Sequence, residues 1–274
     1  MKENKKLRAI LNKIITGDCL NVLRNFPNNC IDLIMTSPPY ANSRKNVYGE
    51  ISPKDYVRWL LPRTEEFYRV LKLKGTFILN IKEKVVNGER HTYVIELILE
   101  MRKQGWLWTE EFIWHKKNSY PGKWPNRFRD AWERCLQFNK RKKFNMYQGA
   151  VKIPIGKWAE SRLNKLSEND IARIASKSKS GFSRRVANWV GKKKVYPTNV
   201  LHLPTECANK SHSATFPLGL PMWFIQLFTK KRDTVLDPFI GSGTTAIACK
   251  QLARKYIGID IDKDICNLAR KNLR

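Results

Sequence analysis

Acidic residues are scarce in this chain of 274 residues: 24 Asp and Glu stand against 52 Lys and Arg, a formal net charge of +28. A field of that size repels cationic partners and gathers polyanions, nucleic acid first among them. Metal ligands are as poorly provided. The 6 cysteines (Cys19, Cys30, Cys135, Cys207, Cys249 and Cys266) contain no C-x-x-C pair, and the 4 histidines show no ligand spacing, so no metal site is expected. Isolated cysteines in apolar settings read as free thiols of a reducing cytoplasm. The first residues, Met1 to Ile15, are charged and hold only very short apolar runs. They resemble neither a secretory leader nor a membrane span, and no membrane partner is expected. Internal repeats are absent as well.

What is present is enough for a packed core. Hydrophobic residues make up 42% of the chain, with 9 Trp and 12 Phe, which excludes a disordered polyelectrolyte. The length suits one large α/β domain with a modest insert, or two small domains. Apolar runs at Ile31–Met35, Thr76–Ile81, Glu111–Trp114, Arg134–Phe138, Asp233–Asp237 and Lys255–Asp260 read as strands. Helical periodicity fills Asp55–Leu73, which Gly75 should break, and Tyr93–Lys103, which Gly105 should end. Further helices are expected over Met222–Thr229, Ala246–Ala253 and Asp264–Asn272. Strand and helix in alternation predict a doubly wound, largely parallel sheet of Rossmann-like type.

The charge is not evenly spread. Between His115 and Lys194 there are 22 Lys and Arg against 5 Asp and Glu, a net of +17 and more than half of the excess. The α/β pattern falters there, with Gly, Ser and Lys clustered around Ser176–Arg185. Three segments follow: 1–144, an inserted recognition region at 145–195, and 196–274. Phosphate-clamping candidates are Lys140, Arg141, Lys142, Lys143, Arg184, Arg185, Lys192, Lys193 and Lys194, contacts that position a protein on nucleic acid without reading its sequence. Trp124, Trp132, Trp158 and Trp189 lie among these charges and suit a small core better than base-stacking wedges.

Two motifs carry chemistry. Asp237-Pro238-Phe239-Ile240-Gly241-Ser242-Gly243-Thr244-Thr245 lies where a strand should turn into a helix. Its glycines let backbone approach a ligand, and the next strand ends in Asp260, placed to accept from ribose hydroxyls. No G-K-[ST] follows, so this is not a phosphate loop. The acidic Asp237 suits a ligand with an ammonium and a sulfonium, as in S-adenosyl-L-methionine. Earlier, Ser37-Pro38-Pro39-Tyr40 follows a strand. An exocyclic amine on a base is a poor nucleophile because its lone pair is delocalised into the ring. The Ser37 hydroxyl and Pro38 carbonyl can accept its two N–H groups, Pro39 fixes the turn, and Tyr40 offers a ring to an extruded base.

Together these motifs resemble those of the DNA amino-methyltransferases, the N6-adenine and N4-cytosine enzymes. Ser37–Tyr40 is similar to their catalytic S-P-P-Y and Asp237–Thr245 to their D-P-F-x-G-S-G-T-T cofactor loop. The order, catalytic motif first, is the circularly permuted arrangement of the family's β group. Thr16-Gly17-Asp18-Cys19 resembles the family's G-D-C element, and His212–Pro217 its approach to the cofactor-side helix, with Ser213 where Pro is usual. The resemblance implies that Ser37, Pro38, Pro39 and Tyr40 hold the base. It implies that Asp18, Phe216, Asp237, Phe239, Gly241, Ser242, Gly243, Thr244 and Asp260 line the S-adenosyl-L-methionine site. It further implies double-stranded DNA as substrate, the basic insert as target-recognition region, and a separate cognate restriction endonuclease. Within the family a Ser at the first motif position goes mainly with N4-cytosine; N6-adenine is the alternative, and a silent nucleic-acid binder of the same fold the remoter one. Methylation of cytosine C5 needs a nucleophilic Cys, typically after Pro, and no Pro-Cys pair occurs.

Overall fold

The computed structural model describes residues 5–42, 51–119, 122, 125–165, 168, 191–205 and 216–274. In chain order the main elements are α1 (Lys5–Ile10), β1 (Lys13–Thr16), α2 (Cys19–Leu23), β2 (Ile31–Thr36), α3 (Tyr56–Val70), β3 (Leu71–Ile81), α4 (Tyr93–Lys103), β4 (Leu107–Lys116), β5 (Trp132–Asn139), α5 (Lys157–Asn164), β6 (Val200–Leu203), α6 (Gly219–Phe228), β7 (Thr234–Asp237), α7 (Thr244–Gln251), β8 (Lys255–Asp260) and α8 (Lys263–Asn272). All eight strands join one sheet in the order β1-β8-β7-β2-β3-β5-β4-β6. Strand β5 runs antiparallel to both neighbours, and every other pairing is parallel.

Side-chain alternation along the strands fills both faces of this sheet. Phe77, Leu79 and Ile81 of β3, Leu136 and Phe138 of β5, and Ile257 and Ile259 of β8 join Leu23 of α2, Phe67 of α3 and Leu97 of α4 in one buried cluster. On the opposite face α6 packs against β2 and β3, while α7 and α8 lie against β8 and β1. The smaller cluster there joins Ile14, Ile240, Ala246, Cys266 and Ala269. Helices on both faces make the sheet doubly wound, as expected from the alternation of elements. No described helix is long and apolar enough to cross a membrane. The five cysteines Cys19, Cys30, Cys135, Cys249 and Cys266 are free and buried.

Several boundaries differ from expectation. Helix α3 ends at Val70, and β3 begins at once with Leu71, so Gly75 lies inside the strand rather than after the helix. The pairing of β2 with β3 jumps from Ile31–Leu71 to Leu33–Thr76 across this stretch. A Cβ on Gly75 would meet the Asp32 carbonyl oxygen at 2.8 Å, which is why a residue without a side chain stands there. Gly105, at φ +98°, does end α4. Strands β1 and β6, four residues each, were not anticipated.

The chain divides into two compact units, 1–147 with 199–274, and 148–198. The second begins and ends three residues later than the expected 145–195 insert. Its described part holds α5 and a two-stranded ribbon that pairs Ile153–Pro154 with Lys194–Val195.

Candidate active site

Parallel strands align their C-terminal ends, and both chemical motifs emerge at that edge. Ser37–Tyr40 leaves β2, and the glycine turn leaves the adjacent β7. They are joined directly: the Thr36 hydroxyl donates to Asp237 Oδ1 at 2.6 Å. Two motifs about 200 positions apart in sequence thus share one sheet edge, where doubly wound folds bind their ligands.

The glycine turn is built for close approach. Gly241 has φ +54° and Gly243 φ +95°, both in the left-handed region. Gly243 also admits α8, since a Cβ there would meet Ala269 at 3.2 Å. The Gly241 N–H donates to Asp260 Oδ2 at 3.1 Å, and Asp260 Oδ1 receives the Asp262 N–H at 3.2 Å. Asp260 therefore stands at the end of β8 with its carboxylate against the turn, 1% exposed. Ser242 is buried, and its carbonyl accepts from Asn272 Nδ2 at 2.9 Å; Thr244 opens α7 and is partly buried.

Asp237 faces inward. Its oxygens accept from Thr36, from the Thr245 hydroxyl at 2.6 Å and from the Phe239 N–H at 3.1 Å, and its exposure is 2%. Burial pushes its pKa up to about 6, although these three bonds oppose the rise. The carboxylate that sequence assigned to a ligand's positive charge is engaged by the protein, tying β2, the turn and α7 together.

The opposite wall comes from α2 and α3. Asp18 caps α2 by accepting the Leu20 N–H at 2.7 Å, and its other oxygen pairs with Arg63 at 2.6 Å. Arg63 lies 4.4 Å from the centre of the Trp59 ring, and Trp59 lies 5.7 Å from Phe239. A continuous run of Asp18, Arg63, Trp59 and Phe239 thus links the G-D-C element to the cofactor loop. Trp59 and Arg63 escaped the sequence reading because they are ordinary positions of an amphipathic helix. Phe216, ahead of α6, is partly buried; His212–Thr215 lie outside the described residues.

The S-P-P-Y turn is held from below. Tyr56 of α3 donates to the Pro39 carbonyl at 3.1 Å. Pro38 and Pro39 are buried, and Ser37 and Tyr40 are partly so. The Tyr40 hydroxyl donates to Glu133 Oε2 at 2.6 Å, and burial, with Glu133 adding, raises the phenol well above its ordinary pKa. Glu133, from the antiparallel β5, is also held by Lys116 at 2.6 Å and by Asn80 Nδ2 at 3.2 Å. A carboxylate with 6% exposure and three donors fixes the Tyr40 ring. Sequence reasoning missed Glu133; its strand also holds Arg134, Gln137 and Asn139, so no apolar period singled it out.

The basic candidates divide. Arg184 and Arg185 lie outside the described residues, as do Trp124, Trp189 and the Trp158 side chain. Lys192, Lys193 and Lys194 are exposed in the second unit. Trp132 sits under the Arg134 guanidinium, 5.4 Å from its ring centre. Lys140–Lys143 lie away from the catalytic turn. Because β5 is antiparallel, its C-terminal end lies beside the start of β3, with Asn139 opposite Thr76. Lys140, Arg141, Lys142 and Lys143 are therefore at the edge of the sheet opposite Ser37–Tyr40. Lys140 is further spent on the Leu71 carbonyl and Asn29, and burial lowers its pKa to about 8.

Comparisons with known proteins agree with this geometry. The model of the N6_N4_Mtase family, described as DNA methylase, matches residues 31–271. The Type II methyltransferase M.PvuII of Proteus hauseri is 28% identical, covering 89% of this chain and 78% of its own. M.HinfI of Haemophilus influenzae is 29% identical over 100% of this chain and 71% of its own. Among solved structures, PvuII DNA methyltransferase (cytosine-N4-specific) superposes with a TM-score of 0.69 at 24% identity, covering 94% of this chain and 84% of that one. A DNA modification methylase of Thermus thermophilus, complexed with S-adenosyl-L-methionine, reaches 0.63 at 22% identity, over 95% of this chain and 92% of its own. These superpositions show a shared fold.

Proposed function

The chain belongs to the N6/N4 DNA methylase family, and from that premise we propose that it transfers a methyl group from S-adenosyl-L-methionine to the exocyclic N4 of cytosine in double-stranded DNA. The observation that carries the proposal is the bond from Thr36 to Asp237, which brings an amine-accepting turn and a nucleoside-type glycine turn to adjacent strand ends.

The residues present fit the methyl donor. Asp18 and Asp260 supply acceptors for an ammonium and for ribose hydroxyls. Gly241 and Gly243 let the turn close on the ligand, and Phe239 with Trp59 offers an aromatic wall for adenine. Asp237, Ser242 and Thr244 hold the turn in shape. When bound, S-adenosyl-L-methionine supplies a methyl group activated by its sulfonium.

The protein's own work is positional. The target base leaves the duplex stack at a cost of about a few kcal/mol, least for weakly paired sites. Ser37 Oγ and the Pro38 carbonyl accept the two amine hydrogens and draw the nitrogen lone pair out of ring conjugation. Tyr56 occupies the Pro39 carbonyl, which keeps the turn rigid. Tyr40, held by Glu133, packs on the base. Ordering of the two reactants accounts for much of the acceleration, of which such effects supply about 7–11 kcal/mol. The exposed Lys192–Lys194 of the second unit add phosphate contacts. Ser37 and the cytosine-N4-specific relative support cytosine over adenine. The Type II relatives support a role as the modification half of a restriction–modification pair.

The test is direct. The protein is incubated with mixed genomic DNA and isotopically labelled S-adenosyl-L-methionine, the DNA is digested, and the labelled nucleoside is identified by mass spectrometry. N4-methylcytosine is expected. N6-methyladenine would retain the chemistry and overturn the assignment of the base.

A further inference from the structure

The edge of the sheet away from the active site carries a second concentration of positive charge. The turn after β5 presents Arg141, Lys142 and Lys143, all exposed. The chain then runs along the edge beneath neighbouring strands. The Asn145 N–H bonds the carbonyl of exposed Lys74 at 3.0 Å, and the Tyr147 N–H bonds the Leu227 carbonyl at 2.6 Å. The Lys230 ammonium lies 5.0 Å from the Tyr147 ring centre, and exposed Lys231 and Arg232 follow it before β7. The cations thus form one ridge across the end of β5 and the starts of β3, β2 and β7, roughly 15 Å at about 4.8 Å per strand.

The nearby acids offset only part of it. Asp32 is taken by Lys72 at 2.7 Å and by the Thr234 N–H at 2.9 Å, and Asp233 accepts the Lys230 N–H at 2.7 Å. Nor does the ridge serve DNA at the catalytic edge. Strand β2 alone, six residues at about 3.3 Å each, separates the edges by ~20 Å, about two screening lengths at 0.1 M salt. Like charges at this density repel one another and are relieved by a polyanion whose charges are regularly spaced.

We propose that this ridge is a second DNA-binding surface, which holds the phosphate backbone of a duplex segment other than the one being methylated. The inference rests on DNA being the substrate of the catalytic edge. It makes the protein able to bridge two segments, and so to pass between them without full release.

The test uses the full chain and a variant carrying Arg141→Gln, Lys142→Gln, Lys143→Gln and Lys231→Gln, all at exposed positions. Protein is bound to an immobilised duplex, and capture of a second, fluorescent duplex is measured at about 50 to 200 mM salt. Methyl transfer to genomic DNA is measured in parallel. The wild type is expected to capture the second duplex and the variant about tenfold less, as loss of several phosphate contacts implies, with methyl transfer retained in both. Equal capture by the two proteins, or none by the wild type, would overturn the second surface. Stronger displacement of the captured duplex by structured RNA than by DNA would overturn DNA as the occupant. Failure of methyl transfer in the wild type would instead strike the catalytic reading, a result told apart by the parallel assay.

Discussion

Asp237 is a carboxylate kept for its reach rather than its charge. Its two oxygens bind β2, the turn and α7 at once, and burial raises its pKa to about 6 from an ordinary 3.8. A folded-state pKa above the unfolded one means that the fold prefers the protonated acid. That contribution to stability is complete below about pH 4 and is lost as pH rises through about 6. Asp237→Asn keeps the size and a bonding capacity while removing the ionisation. Its stability relative to wild type should therefore grow between about pH 4 and 6.5 by on the order of 2–3 kcal/mol, seen as a widening gap in melting temperature. A pH-independent difference between the two proteins would mean that Asp237 is not the group titrating. Ser37 is the contrasting case, a partly buried hydroxyl that bonds Tyr40 within the turn and is assigned to the substrate amine. Ser37→Ala should lower methyl transfer about a hundredfold, the scale on which one preorganised bonding group acts on a rate. Calorimetry should find cofactor affinity unchanged. Full activity in this variant would remove Ser37 from the chemistry.

Among the elements, β5 decides most. It is the one strand running against the rest, and it delivers Glu133 to Tyr40 from across β3. Tyr40→Phe and Glu133→Met each remove the same bond while keeping the bulk of the side chain. Each should lower the turnover number about tenfold and leave cofactor affinity alone, and the double variant should be no worse than the poorer single one. Losses that multiply would show Tyr40 and Glu133 acting separately. The major strands and helices were legible in sequence because each repeats its apolar period over enough residues to be seen. Strands β1 and β6 were not, since four residues carry no period. The end of α3 was misread because Leu71 and Leu73 continue a helical spacing by accident while already alternating as strand. Gly75 has its cause in the Asp32 carbonyl of another strand, a contact that local pattern does not contain. The site was legible to the same degree: its two motifs are contiguous in sequence, whereas Glu133, Asn80, Lys116, Trp59 and Arg63 reach it only through tertiary packing.

For the whole molecule, the excess charge was plain in composition and its direction was not. Lys140–Lys143 follow a strand, and at the end of a parallel strand they would have joined the catalytic edge. The reversal of β5 alone sends them to the other side. With the ridge proposed above, the charge works in two places on DNA, and its thermodynamic signature is counterion release. Each phosphate neutralised adds about 0.9 to the slope of log affinity against log salt. A protein making about 6–10 such contacts loses roughly 10³–10⁵ in affinity between 50 and 200 mM salt. Methyl transfer to genomic DNA should therefore show an apparent KM for DNA that rises by about that factor over this range. The affinity for S-adenosyl-L-methionine should stay level, because one small ligand displaces few counterions on binding. Measuring both across the same salt series separates them. A KM for DNA that ignores salt would mean that the +28 charge is not what holds the duplex, and that shape and base contacts carry the binding instead.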